Sequence, residues 1–156
     1  MNGASKSLPK YIFVLIVFFV LFQLFLPMVY IVDGVSMEPT FNAGDITIID
    51  YYGMNKKFSN GDIVVINNDA QHTKMIKRII GSEGDHVIIK DNQVYVNEEL
   101  LEEDYLLEPM VNKDMDFIVQ KNKFFVLGDN RNNSIDSRNI GLVDISDIVG
   151  KVIYHL

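Results

Sequence analysis

An apolar run from Tyr11 to Val32 constrains this chain more than any other feature, and only Gln23 and Pro27 interrupt it. About 20 consecutive apolar residues allow a helix to cross the hydrocarbon core of a bilayer. We therefore predict a transmembrane helix at residues 11–32, after a short N-terminal segment at residues 1–10 and before one domain at residues 33–156. A buried core helix is the alternative, but it needs packing partners on every side, which a domain of this size cannot supply.

The residues that flank the apolar run predict its orientation. Lys6 and Lys10 precede the run and Asp33 follows it, so the positive-inside rule places the N-terminus in the cytoplasm and the domain outside. The run ends without the small residues that mark a cleavable signal peptide, which favours an uncleaved, single-pass signal anchor in the cell membrane. Pro27 is expected to end the regular helix, with the chain extended by Tyr30.

The rest of the chain is rich in short β-branched runs between turn residues, which predicts a mainly β fold in a single antiparallel domain. Two pairs of runs are predicted to form hairpins, residues 86–90 with 93–97 around Asp91-Asn92, and residues 117–119 with 124–127 around residues 120–123. The acidic stretch from Glu98 to Glu108 is predicted to be a solvated connection or a short helix. Further strands are expected at residues 45–50, 63–66, 75–80 and 151–156.

Composition argues against several classes of function. The chain has no cysteine, which rules out a thiol nucleophile, a disulfide framework and a zinc-thiolate site. The formal net charge of −7 argues against a nucleic-acid partner. The histidines (His72, His86 and His155) lack the spacing of metal ligands, so no metal site is expected. The candidate nucleophile and base described next need no metal or organic cofactor.

Ser36 is the candidate nucleophile, since it opens the segment Ser36-Met37-Glu38-Pro39-Thr40 just beyond the apolar run. A serine hydroxyl needs a base to take its proton. Lys77 is the candidate base because it lies in an apolar predicted strand, where desolvation favours the neutral amine. By residue type alone, a strand lysine whose ammonium reaches solvent is commoner than a buried base.

A third stretch, Gly128 to Arg138, is dense in turn-forming and hydrogen-bonding side chains. As part of a site, Ser134 would position the lysine amine and Asp136 would pair with an arginine. By composition alone, an ordinary turn between two strands is the favoured interpretation.

The order of these segments resembles that of the bacterial type I signal peptidases, in the compact form of Gram-positive bacteria. The resemblance covers nearly the whole chain and is carried by the anchor and by four motifs: Ser36 to Thr40, Gly61 to Val65, Lys77 to Asp85, and Gly128 to Arg138. It implies a signal-peptidase-like, mostly β fold and a Ser/Lys-dyad serine endopeptidase. Such enzymes cut signal peptides from exported proteins at the outer face of the cytoplasmic membrane.

The resemblance also implies a role for each matching residue. Ser36 matches the nucleophile, Lys77 the general base and Ser134 the residue that orients the lysine. The oxyanion hole would use the Ser36 N–H and, two residues earlier, the backbone N–H of Gly34 or a water. Asp136 and Arg138 match a structural ion pair.

By the same resemblance, the substrate is a strand added between Asp33-Gly34-Val35 and Met75-Ile76. Tyr30, Val32 and Ile76 would line shallow pockets for small residues one and three positions before the cut. The implied partners are the signal peptides of secreted pre-proteins, the lipid bilayer and the secretion translocon. The chain departs from the family pattern at Glu83, where proline is common, and at Asn132, where an acidic residue is common.

Other functions remain open at this point. A self-cleaving repressor domain has a related dyad, but it carries a DNA-binding head where this chain has the apolar run. A specialised relative would process one pilus or conjugation substrate. A membrane-tethered scaffold without activity is a third interpretation, which the presence of Ser36 and Lys77 disfavours.

Overall fold

A computed structural model describes residues 8–24, 28–50, 57–68, 73–111 and 113–155. The first helix, α1, spans Leu8–Leu24 and has 17 residues. No helix in these ranges is both long enough and apolar enough to cross a membrane, so the predicted span at residues 11–32 is not confirmed. Residues 28–31 form a strand, which agrees with the extended chain predicted at Tyr30. The predicted end of the helix at Pro27 lies outside the described residues.

The strands form two antiparallel sheets in the described chain. The larger has the order β1-β2-β11-β3-β4-β9-β10 and the smaller the order β7-β6-β5-β8. The strands are β1 Met28–Ile31, β2 Ile46–Asp50, β3 Ile63–Asn68, β4 Thr73–Gly81, β5 His86–Lys90, β6 Gln93–Val96, β7 Glu99–Leu100, β8 Met115–Ile118, β9 Lys123–Leu127, β10 Val143–Asp144 and β11 Ile148–His155. A short helix, α2, spans Ser137–Ile140, and a 3-10 turn spans Ile145–Asp147.

One hydrophobic cluster joins the two sheets, because β-branched residues of β5 and β6 pack against β4 and β9. Val87, Ile89 and Val94 from the smaller sheet meet Ile80 and Leu127 from the larger one, all nearly inaccessible to solvent. The predicted mainly β, antiparallel fold is therefore confirmed, with two sheets around a shared core.

The hairpin at Asp91-Asn92 is confirmed, since β5 pairs with β6 and both turn residues have positive φ. The second predicted hairpin is wrong. β8 pairs with β5 in the smaller sheet, whereas β9 pairs with β4 and β10 in the larger one. Residues 120–123 therefore connect one sheet to the other. The strands that pair with β8 and β9 are distant in sequence, and the composition of the turn between them does not encode that pairing.

The acidic stretch is more ordered than the sequence predicts, and it forms no helix. Glu99 lies in the two-residue strand β7, which pairs with β6. Glu103 is largely buried, because its carboxylate pairs with Arg131. The acidic composition predicted a solvated connection or a short helix, but one of these carboxylates accepts a hydrogen bond from the buried guanidinium of Arg131, on a distant loop.

Candidate active site

Ser36 lies in a tight turn that leaves β1 and is anchored from both sides. Val32 N–H donates to Asp45 O over 2.8 Å, which fixes the start of the turn. Met37 and Phe41 are each 1% exposed and pack with Val32 against Ile76 and neighbouring strands. Ser36 is held at the surface of a small apolar cluster, so its hydroxyl has a defined position.

Lys77 reaches Ser36 from the middle of β4, where it pairs with Val64 of β3. Its side chain is 2% exposed, and Nζ lies 2.7 Å from Ser36 Oγ and donates to Ile76 O over 2.8 Å. When the amine is neutral, the hydroxyl can donate to Nζ across the same contact. This distance fits proton transfer between a nucleophile and its base.

Burial lowers the pKa of Lys77 from its ordinary value of 10.5 to about 8. Desolvation of the ammonium is the main cause, and Arg138 lowers the pKa further. The carboxylates of Asp136 and Asp129 act in the opposite direction and raise it. A substantial fraction of the lysine is therefore neutral near pH 7 to 8, as a general base requires.

The loop after β9 packs directly against the Ser36 turn. Asn130 N–H donates to Ser36 O over 3.0 Å, and Asn130 Nδ2 donates to Val35 O over 3.1 Å. At Gly128 an added Cβ would lie 2.5 Å from Ser36 O and 2.6 Å from Ser134 Cβ. Only glycine fits at this contact, so residue 128 sets how closely the loop approaches the nucleophile.

Ser134 and Gly34 lie beside the pair without contacts that define their roles. Ser134 Oγ is buried and has no hydrogen-bond partner among the described residues, so the expected bond to Lys77 is not formed. Gly34 has φ +96°, a conformation that favours glycine, and nothing lies within 4 Å of an added Cβ. The roles of both residues stay predictions.

Asp136 and Arg138 form the expected ion pair behind the site. Arg138 Nη2 lies 2.7 Å from Asp136 Oδ2, with side chains 8% and 0% exposed. Asp136 also accepts from Gly128 N–H over 3.0 Å, and it caps α2. The pair therefore holds Gly128 and the start of α2 in one arrangement.

Replacing Asp136 with asparagine is expected to reduce the free energy of unfolding by about 3–5 kcal/mol, because Arg138 would keep a buried, uncompensated charge. Urea denaturation measures the change. The matched control is Asp116→Asn, which breaks the pair between His86 and Asp116, whose side chains are 36% and 71% exposed. That control should cost less than about 1 kcal/mol. Equal losses in the two variants would contradict a structural role for the buried pair.

A second buried network lies on the opposite face of β4 and was not predicted. Arg78 Nη2 lies 2.6 Å from Asp129 Oδ2, and Thr40 Oγ1 donates to the same oxygen over 2.5 Å. Tyr105 stacks on the Arg78 guanidinium at 4.0 Å, and burial raises the pKa of its hydroxyl to about 12. Strand alternation puts Arg78 opposite Lys77, but the sequence carries no signal that pairs it with Asp129.

The residues predicted to bind a substrate meet in one open groove of about 540 Å³. It is lined by the end of β1 and the segment that follows, by the first half of β4, and by the loop at residues 132–135. β9 pairs with β4 only from Arg78 onward, which leaves the β4 edge at residues 73–77 without a strand on that side among the described residues. The predicted residues that line the groove are Tyr30, Val32, Asp33, Gly34, Val35, Ser36, Met75, Ile76, Lys77 and Ser134.

Asn132, one of the two departures from the family pattern, is firmly held. Its Nδ2 donates to Glu108 Oε1 and to Pro109 O, and its Oδ1 accepts from Val111 N–H. The amide thereby ties the segment before β8 to the rim of the groove. Within the described ranges, no group of three or more histidine, aspartate or glutamate residues is arranged to hold a metal ion.

Known proteins resemble this chain over most of its length. A family model described as signal peptidase, peptidase S26, matches residues 5–156. Signal peptidase I P of Bacillus subtilis subsp. natto is 39% identical over 148 residues, which cover 87% of this chain and 79% of that protein. Thylakoidal processing peptidase 1 of Arabidopsis thaliana is 48% identical over 80 residues, but this match covers 51% of this chain and only 24% of the plant protein.

A solved structure of a signal peptidase I from Enterococcus faecalis V583 matches with a TM-score of 0.53 at 31% identity. The match covers 61% of this chain and 96% of that chain.

Proposed function

Because this chain belongs to the signal peptidase family, peptidase S26, we propose that it is a membrane-bound serine endopeptidase that removes signal peptides through a dyad of Ser36 and Lys77. The observation that carries the proposal is the 2.7 Å contact between Lys77 Nζ and Ser36 Oγ at the wall of the groove. A lysine that is 2% exposed, with a pKa of about 8, supplies the neutral amine that the reaction needs.

The reaction starts with transfer of the Ser36 hydroxyl proton to neutral Lys77. Oγ attacks the scissile carbonyl, and the oxyanion that forms is stabilised by the Ser36 N–H and, from the other side, by the N–H of Gly34. Protonated Lys77 gives its proton to the leaving amine as the peptide bond breaks. Lys77 then takes a proton from water, whose oxygen attacks the acyl-enzyme carbonyl. The bond to Ser36 Oγ breaks, Oγ takes the proton back from Lys77, and the product leaves as an acid that ionises to the carboxylate.

The substrate binds as an added strand in the groove. The unpaired β4 edge at residues 73–77 offers backbone donors and acceptors to an extended peptide, with the segment at residues 33–35 on its other side. Val32 is 5% exposed and Ile76 is half-buried, which supports shallow, apolar pockets beside Ser36. Such pockets accept small side chains one and three residues before the cut and exclude large ones.

The membrane is the proposed setting, with the domain on its outer side. Val29, Ile31 and Ile46 are 60%, 66% and 42% exposed. Ile31 lies directly opposite Ile46 in the sheet, so these side chains share one face, a short distance in sequence after α1. An exposed apolar sheet face beside an apolar helix is suited to contact with lipid, which would bring the groove close to signal peptides in the same bilayer.

Cleavage of a pre-protein with N-terminal sequencing of the product tests this function. The wild-type chain in detergent or liposomes is expected to make one cut, after a signal peptide with small residues at the last and third-last positions. Ser36→Ala, which removes the nucleophile and little volume, is expected to yield no product. Cleavage by Ser36→Ala at the wild-type rate, or wild-type cuts unrelated to the signal peptide, would contradict the proposal.

A further inference from the structure

Asn130 has a side-chain amide whose contacts are explained neither by the dyad nor by the groove. It is half-buried, and it does not line the groove, although residues 132–135 of the same loop do. Its backbone N–H donates to Ser36 O over 3.0 Å and its Nδ2 donates to Val35 O over 3.1 Å. One residue therefore holds the carbonyl groups on both sides of the Ser36 Cα.

The Val35 carbonyl is held from two directions, because Glu38 N–H also donates to it over 3.1 Å. The Val35–Ser36 peptide bond is trans. In a planar trans peptide the N–H points opposite to the C=O. Fixing Val35 O toward Asn130 therefore fixes the direction of the Ser36 N–H, which points away from Asn130.

The Ser36 N–H has no acceptor within the described residues, although the carbonyl groups of Val35 and Ser36 both accept hydrogen bonds. Asn130 lies outside the groove and Val35 and Ser36 lie in its wall. An N–H that points away from Asn130 therefore faces the side on which a substrate carbonyl would meet Ser36 Oγ. An unengaged donor beside the attacking oxygen is what a developing oxyanion requires.

We infer that Asn130 is a positioning residue, which aims the Ser36 N–H at the oxyanion by holding the Val35 carbonyl. This inference rests on the function proposed above and adds a residue whose effect should fall on the transition state. Asn130 does not contact Lys77 Nζ and does not itself line the groove, so substrate binding and the titration of the lysine should be left unchanged by its replacement.

The test compares Asn130→Ala and Asn130→Asp with the wild-type full-length chain in detergent. Both variants lose the Nδ2 donor, and the aspartate keeps the shape of the side chain. We expect kcat to fall by about 10- to 100-fold, less than the loss of a whole oxyanion donor. KM should stay within about twofold, since an interaction made only in the transition state lowers kcat and kcat/KM together. The apparent pKa of the pH–rate profile should stay at the wild-type value in Asn130→Ala.

A peptide aldehyde supplies a second measurement, because its adduct with Ser36 places an oxygen where the oxyanion forms. Its affinity for the Asn130 variants should fall in parallel with kcat/KM, whereas a non-reactive peptide of the same sequence should bind as it does to wild type. The matched control is Asn60→Ala, which removes comparable bonds between exposed loops that do not involve Ser36 or Lys77. Asn60 Nδ2 donates to Asp85, and Asn60 Oδ1 accepts from Ser82 Oγ. This substitution should lower the melting temperature without changing kcat.

Each outcome decides the question. A kcat that falls no further than in Asn60→Ala, a rise in KM at constant kcat, or a shifted pKa in Asn130→Ala overturns the inference while the proposed function stands. A wild-type chain that cuts no pre-protein overturns both. A selective loss of kcat and of aldehyde affinity supports Asn130 as the residue that aims the oxyanion donor.

Discussion

Replacing Lys77 with methionine is expected to reduce the rate of signal-peptide cleavage by at least about 10³-fold, because Ser36 would lose the amine that lies 2.7 Å from its hydroxyl oxygen. Methionine is similar in length and volume to lysine, so the apolar surroundings of β4 should pack as before. Initial rates on a defined pre-protein measure the loss. Activity within about tenfold of wild type would show that another group deprotonates Ser36.

The wild-type rate should also depend on pH in the direction set by Lys77. Only the neutral amine accepts the proton, so kcat/KM should rise as the lysine loses its proton, with an apparent pKa of about 8, and level off above it. The midpoint lies well below the ordinary lysine value of 10.5 because the ammonium is desolvated in the folded chain. A flat profile from pH 5 to pH 9 would contradict a lysine base.

Lys77→Met should also change the stability of the folded chain. Measuring that stability shows whether the variant is folded when its activity is assayed. Folding lowers the pKa of Lys77, so the buried ammonium costs free energy below about pH 8, and this cost disappears as pH rises from about 8 to 10.5. The methionine variant carries no such cost. Its free energy of unfolding relative to wild type should therefore be higher at pH 7 than at pH 11, by roughly 3 kcal/mol.

Replacing Gly128 with alanine is expected to reduce cleavage by about 100-fold, since a shift of about 1 Å in the loop would misplace the reacting groups. The added methyl group would lie 2.5 Å from Ser36 O and would also meet Ser134, so the loop or the nucleophile turn has to move. Overpacking of this kind should also cost about 1–3 kcal/mol of stability. Initial rates and urea denaturation measure the two effects.

Gly150→Ala is the matched control for this variant. Its Cβ would lie 2.5 Å from Asp50 O and 2.6 Å from an Ile49 methyl group, in the pairing of β11 with β2 and away from Ser36. It should lose comparable stability and keep near-normal kcat at temperatures where it is folded. If both glycine variants lost activity only in proportion to their loss of stability, Gly128 would contribute to the packing of the fold and have no specific role in positioning Ser36.

Much of the candidate site could be predicted because its residues stand in short, ordered motifs. Ser36, Lys77 and the pair of Asp136 and Arg138 were named from these motifs, and the structure brings the first two within 2.7 Å. Asn130, Asp129 and Tyr105 were missed as contributors. Their importance depends on which distant group each one meets, and an amide, a carboxylate or a phenol in a polar loop gives no local signal of its partner.

The sequence by itself determined the local elements and the type of chemistry. Runs rich in β-branched residues and the Asp91-Asn92 turn specify strands and a tight hairpin, since both follow from neighbours along the chain. The apolar neighbours of Lys77 made it a candidate base, but its lowered pKa comes from burial in the folded chain. Only the tertiary structure decided that β8 and β9 separate into different sheets and that β9 leaves the β4 edge open before Arg78. It alone brought Asn130 to the carbonyl groups around Ser36. These features depend on strand pairing and burial between residues that are far apart in the chain. The free energy of folding that selects them comes from contacts that a local sequence pattern does not encode.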